Sequence, residues 1–402
     1  MALCRLRFAA LLGEMSIFVP GFVLMAGIYV HIPFCASRCS YCDFFSTLKL
    51  SEMGARYVEA LLAEASLRHG ELRGETVTTL YLGGGTPSQL PLPLLSCLIN
   101  GLGEIIDLTQ VEEFTIEANP DDVSREWCAG VKSLGVNRVS MGVQSFEDQI
   151  LRLIGRRYTA TQVADAIRNL RDAGIDNVSI DLIYGLPGQT VESWKESVRQ
   201  AIALRPKHIS AYGLTYEPGT RLWRQRERGE IAEVPEDDCL AMYRILVSDL
   251  RDAGLEHYEI SNFALPGYHS RHNSSYWNDT PYLGLGAAAH SYDGTTRRSN
   301  PHDLNGYISK VMAGELACEI EEMTRWERYD ERVMLGLRTA RGVNADGLRE
   351  DFGDRAWRHF VRESEPHVAA GNMRVVDGNR YVLTDNGIML SDSIIRDLMW
   401  DD

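Results

Sequence analysis

Gly27-Ile-Tyr29-Val-His31-Ile-Pro-Phe-Cys35-Ala-Ser-Arg-Cys39-Ser-Tyr41-Cys42 carries two unlike signals in one stretch. It opens as an apolar, β-branched run, the pattern of a strand buried on both faces. Pro33 stops the run, and three cysteines follow at C-x3-C-x2-C spacing. A buried strand that hands its C-terminal end to a chemically loaded loop is the unit from which parallel βα folds build their sites.

The same unit recurs downstream. Apolar or β-branched runs stand at Thr78–Leu82, Glu113–Ile116, Arg138–Gly142, Asn177–Ile183 and His208–Leu214. Segments with helical periodicity lie between them. Thr190 is placed to cap a helix carrying Val191, Trp194, Val198, Ala201 and Ile202 on one face, and Thr161–Ala173 forms another, stopped by Gly174. Strands alternating with helices predict an α/β fold of right-handed βαβ units, closed into a full or partial TIM-like (β/α) barrel. Each predicted strand ends in polar or glycine residues: the cysteines, Gly83-Gly84-Gly85-Thr86-Pro87, Glu117, Gln144, Asp181 and Thr215. In a barrel those ends share one face.

Composition fits this frame. The chain has 402 residues, 45% hydrophobic and 24% charged, enough for a large core and unlike a disordered or collagenous sequence. Its net charge of −15 argues against a nucleic-acid partner. Outside the cluster, Cys4, Cys97, Cys128, Cys239 and Cys318 are isolated, which does not make a secreted disulfide framework and points to a reducing cytoplasm. Met15–Phe34 has no formal charge and is long enough to span a bilayer, but Pro20, Gly21, Gly27 and Pro33 interrupt it. Residues 1–24 read as a leader or a mis-called start.

Three thiolates on one loop suit a soft metal centre. One alternative is structural zinc, with Asp43 or His31 completing four closed ligands. The other is an iron–sulfur cube whose fourth iron is left open, favoured because no second cysteine pair stands nearby.

The stretch from Tyr29 to Cys42 resembles the cluster loop of the radical S-adenosylmethionine superfamily. More narrowly, it is similar to the branch that holds oxygen-independent coproporphyrinogen III dehydrogenase (HemN) and the HemW heme chaperones. The likeness continues through GGGTPS (83–88), IEANP (116–120), SMGVQSF (140–146), IDLIYGLPGQT (180–190) and LGLGAAAHSY (283–292). It implies that Cys35, Cys39 and Cys42 hold a [4Fe–4S] cluster whose open iron takes S-adenosylmethionine. Tyr29, Tyr41, Gly84, Gly85, Thr86, Glu117, Gln144, Arg156, Asp181, Thr215 and His290 match positions that line the cofactor. Taken singly, each of these residues has an ordinary structural role open to it, as turn, cap or ion-pair partner.

Within the branch, two features lean toward the chaperones. The dehydrogenase continues its loop as x-Cys after the third ligand, whereas this chain has Asp43-Phe44. His272-Asn-Ser-Ser-Tyr276-Trp277 matches the HNxxYW signature of HemW-type proteins, which makes His272 a candidate heme ligand with Tyr276 and Trp277 packing the porphyrin. The resemblance thus implies a carrier that binds heme and gives it to respiratory hemoproteins, with peripheral membrane association and a homodimer both open to it. The alternative is radical oxidative decarboxylation of coproporphyrinogen.

The expected organisation is a barrel over 25–250, a connecting region with the HNxxYW motif over 251–319, and a small α+β domain over 320–402. In the last, Arg325–Thr339 and Leu348–Gly371 read as helices, Arg380–Leu383 as a strand and Ile388–Met399 as a closing helix. The arrangement resembles a winged helix without a basic recognition surface and is read as a lid or docking domain.

Overall fold

The computed structural model describes residues 25–72 and 74–400. The leader expected over 1–24 lies outside them. Six strands, β1 (Met25–Ile32), β2 (Thr76–Gly84), β3 (Glu113–Ala118), β4 (Arg138–Gln144), β5 (Asn177–Tyr184) and β6 (His208–Gly213), pair in parallel in sequence order. Helices connect them on the outside. Val191–Ala203 starts at Thr190, whose hydroxyl accepts from the Ser193 amide, as its sequence predicts. The described part of the charge-free stretch begins as a strand, Met25–Ile32, and among the described residues no helix is long and apolar enough to cross a membrane.

The barrel is partial. Past β6 the sheet continues antiparallel through β8 (Asn262–Ala264) to β7 (Glu256–Glu259). Beyond β1 it continues through β9 (Tyr282–Leu285), parallel to β1, and then β10 (His290–Tyr292), β11 (Thr296–Ser299) and β12 (Glu319–Glu322). The two flanks do not pair with each other, so the twelve-stranded sheet stays open. The stretch expected as a connection therefore supplies strands to the same sheet, and Leu283, Leu285, Tyr307 and Ile308 join the same hydrophobic core as Ile28 and Val139.

A buried polar knot fastens this added flank. The Glu64 carboxylate accepts from Arg68, Asn300, Tyr307 and the Gly286 amide, at 2.6–2.9 Å. Arg68, itself 1% exposed, also donates to Ser291 on β10. Both Glu64 oxygens and the Arg68 guanidinium find partners inside, as a buried ion pair requires, while Asn300 Oδ1 is left without one.

A second core, centred on Tyr329, Phe352, Phe360 and Ile395, organises the C-terminal domain. Helices Arg325–Leu337 and Ala345–Ala369 pack with a three-stranded antiparallel sheet of β13 (Val343–Asn344), β14 (Met373–Val376) and β15 (Arg380–Leu383). The expected closing helix runs over Ser391–Leu398, and a separate short helix, Asp385–Ile388, precedes it. The domain docks on the barrel through Ala340 N–H donating to the Tyr258 carbonyl (3.0 Å), Arg251 pairing with Asp385 (3.1 Å) and Arg332 with Asp279 (2.7 Å).

Candidate functional site

The cysteine loop leaves β1 and is closed at its base by the backbone. The Cys35 amide donates to Thr47, and the Thr47 amide returns to Pro33. The Gly85 and Thr86 amides donate to Ile32 and Phe34, which ties the glycine run after β2 to the start of the loop. Ser40 is gripped from two further elements: its amide donates to Ile154, and its carbonyl accepts from Leu222. The loop is thus anchored by its neighbours along the barrel mouth.

Cys35, Cys39 and Cys42 face one cavity of about 460 Å³, within the size range of small-molecule sites. Tyr41, Gly84, Gly85, Thr86, Glu117, Gln144, Arg156, Asp181 and Thr215 line it as well. Thr86 donates to Cys35 Sγ (3.3 Å) and Arg156 to Cys39 Sγ (3.3 Å). The Arg156 guanidinium also donates to the Gly142 carbonyl (2.7 Å), while Arg157, on the same cavity, pairs with Asp121. A side chain at Gly142 would meet Arg156 at 2.6 Å, so that glycine makes room for the cation beside the sulfur. Burial pushes the Cys35 thiol up and the Cys42 thiol to about 11, so a metal must displace their protons.

His31 does not complete a zinc site. Its Nε2 lies 3.0 Å from the Phe45 carbonyl, which can only accept, so Nε2 carries the proton. Nδ1 then accepts from Tyr29 Oη at 3.1 Å. Both nitrogens are used, and burial lowers the ring to about 4, keeping it neutral. Among the described residues no three His, Cys, Asp or Glu side chains converge on a single ion. A cube that gives each thiolate its own iron asks for no such convergence, and the donor set fits it.

Two carboxylates sit deeper in the mouth. Glu117 accepts from Tyr81 Oη (2.8 Å) and the Gly84 amide (3.1 Å), and burial raises it to about 7. Asp181 accepts from Ser140 (3.2 Å) and is also raised by burial. Gln144 ends β4 at a bulge with φ of +64°, a conformation that costs a non-glycine residue and re-aims its side chain. Tyr81, Ser140 and Tyr158 contribute to the site without having been singled out in the sequence. Ser140 could have been found from its place two residues before the end of a strand run.

Three expected residues lie elsewhere. Tyr29 and His290 face a neighbouring cavity rather than the cysteine one. His272 lines neither: it is fully buried, with Nδ1 2.8 Å from Thr79 Oγ1 and Nε2 2.9 Å from Tyr276 Oη. The candidate heme ligand thus has both ring nitrogens engaged within the protein. Its ring stacks beside Tyr81 (centroids 5.1 Å apart) and Tyr29 (6.3 Å).

Residues 29–201 match the Radical SAM superfamily, and residues 323–390 match the HemN C-terminal domain. The fold and the cysteine loop therefore define a radical S-adenosylmethionine protein with a HemN-type C-terminal domain. Among solved structures, HemN, the coproporphyrinogen III oxidase of Escherichia coli, superimposes with a TM-score of 0.80 over 93% of this chain and 90% of that one, at 24% identity. Among relatives, heme chaperone HemW of Lactococcus lactis is 35% identical (93% of this chain, 97% of that protein). HemW of Synechocystis is 36% identical (94% and 97%) and HemW of Bacillus subtilis 37% (82% and 87%). The chain belongs to the HemW family.

Proposed function

We propose that this protein is a cytoplasmic heme chaperone: it binds heme beside a [4Fe–4S] cluster and S-adenosylmethionine, and delivers the heme to respiratory hemoproteins. The observation that carries this reading is the identity to heme chaperone HemW proteins along nearly their whole length. Cys35, Cys39 and Cys42 would each hold one iron. The cluster with its cofactor would supply one-electron chemistry at the barrel mouth. Around it Thr86 and Arg156 orient and balance two of the sulfurs, and Gly85 leaves the backbone bare, since a Cβ there would meet Pro33 at 2.7 Å. Glu117 would contact the nucleoside, and Asp181 would add a polar contact within the barrel. Brief membrane contact or pairing of two chains would suit delivery to a membrane-bound recipient.

The second reading is oxidative decarboxylation of coproporphyrinogen III. Against it stands Phe44, 66% exposed at the position where the dehydrogenase carries its further cysteine. The test is to reconstitute the protein anaerobically and assay heme binding and coproporphyrinogen turnover side by side. Saturable heme binding without turnover is expected; robust porphyrinogen turnover refutes the carrier.

A further inference from the structure

His208 is a fully buried imidazole that does not line the cysteine cavity. It stands on β6 directly opposite Ser179 of β5. Asp181, which does line the cavity, lies two residues further along β5 and so on the same face of the sheet. Both nitrogens of His208 are engaged: Nδ1 lies 2.8 Å from Ser179 Oγ, and Nε2 lies 2.7 Å from Tyr258 Oη. Ser179 Oγ continues to Asp181 Oδ1 at 3.4 Å, and Tyr258 Oη accepts from the Ser270 amide at 3.3 Å. The contacts make one unbroken line from the half-buried Tyr258, on the edge strand β7, to the carboxyl in the cavity.

The direction of each proton follows from the chemistry of the groups. An ionised Asp181 can only accept, so Ser179 donates to it and accepts from His208 Nδ1–H. Nε2 is then bare and accepts from the Tyr258 hydroxyl. Every donor points toward the carboxylate. A protonated Asp181 reverses the line: it donates to Ser179, Ser179 to His208 Nδ1, and His208 Nε2–H to Tyr258. The imidazole changes tautomer and stays neutral, since burial, with Arg138 and His269 nearby, holds it well below its ordinary value.

The surrounding charges come from several strands. Arg138 of β4, 1% exposed, keeps its charge at any working pH. Glu117 of β3, Tyr81 of β2 and Tyr212 just after Ala211 on β6 face Asp181. At the other end His269 stacks on Tyr258 at 4.2 Å, with Glu113 and Glu259 nearby.

We propose that Ser179, His208 and Tyr258 form a proton path that joins Asp181 to the end of the barrel away from its mouth, with His208 relaying the proton by switching tautomer. The step balances. Tyr258 Oη takes a proton from water and gives its own to His208 Nε2; His208 gives its Nδ1 proton to Ser179, and Ser179 gives its own to Asp181 Oδ1. The carboxylate is neutralised and no other group gains charge. Such a path lets Asp181 change charge while a ligand closes the mouth. It is a property of the chain's own side chains and needs no particular ligand in the cavity.

The test is nitrogen-15 NMR of the full chain labelled at histidine, with His208 assigned by the signal lost in His208→Gln and by its contact with Tyr258. As pH falls through the Asp181 titration, the two His208 nitrogens are expected to exchange protonated and bare shifts, with no doubly protonated form. Ser179→Ala cuts the line and should hold His208 in one tautomer at every pH, as should Asp181→Asn. Glu117→Gln should leave the switch in place. A wild-type His208 that keeps one tautomer or takes a second proton overturns the path. So does a switch that survives in Ser179→Ala or disappears in Glu117→Gln. None of these outcomes bears on heme binding, so the carrier reading stands or falls separately.

Discussion

Gly84 offers a direct test of how the barrel mouth is built. Its φ is +113°, and a Cβ on it would sit 2.5 Å from the His31 ring. That ring cannot swing aside freely, because Tyr29 holds one nitrogen and the Phe45 carbonyl the other. Gly84→Ala should therefore cost about 1–3 kcal/mol for the backbone conformation. Losing the two histidine hydrogen bonds adds about 0.5–1.5 kcal/mol each, so the sum is about 2–6 kcal/mol. Gly103→Ala is the matched control: it lies in the helix Leu92–Ile105, and its Cβ would meet nothing within 4 Å. There the same substitution should stabilise by up to about 1 kcal/mol, since alanine is the better helix former. Urea unfolding of both variants, followed by intrinsic fluorescence, measures the difference. Equal stability of Gly84→Ala and wild type, within about 0.5 kcal/mol, would refute the claim that the glycine run is required by the pinned histidine.

Two further outcomes follow from the site. Alanine at Cys35, Cys39 or Cys42 should abolish the iron–sulfur absorbance after anaerobic reconstitution, whereas alanine at Cys97, Cys128, Cys239 or Cys318 should leave it; a full cluster in Cys39→Ala contradicts the ligand set. Burial lifts the Glu117 carboxyl from 4.5 to about 7, so the folded chain keeps a proton that the unfolded chain has already released. The stability from this group is complete below pH 4.5 and falls away as pH rises through 7. Glu117→Gln should remove that decline, and parallel pH–stability curves for variant and wild type would count against a buried, raised carboxyl.

The barrel strands were legible because their signals are local. Asn177–Tyr184 and Met25–Ile32 are apolar, β-branched runs, and Thr190 with Ser193 is a cap written within four residues. The site was legible for the same reason: a parallel sheet brings every strand end to one mouth, so Cys35, Glu117, Gln144 and Asp181 meet without further instruction. The flanking strands were not. Glu256–Glu259 (EHYE), Thr296–Ser299 (TRRS) and Glu319–Glu322 (EIEE) carry no apolar alternation, and they are strands because an existing sheet edge offers them partners.

The sequence by itself determined the class of the protein, since C-x3-C-x2-C after a buried strand and the repeated strand–helix rhythm depend only on residue type and spacing. Only the tertiary structure decided which histidines have nitrogens to give. His272, His290 and His302 are alike as letters. One is sealed between Tyr81 and Tyr276 with both nitrogens engaged, and the other two open into an aromatic cavity. That difference comes from contacts across nearly two hundred residues of chain, such as Thr79 with His272, which no local pattern encodes.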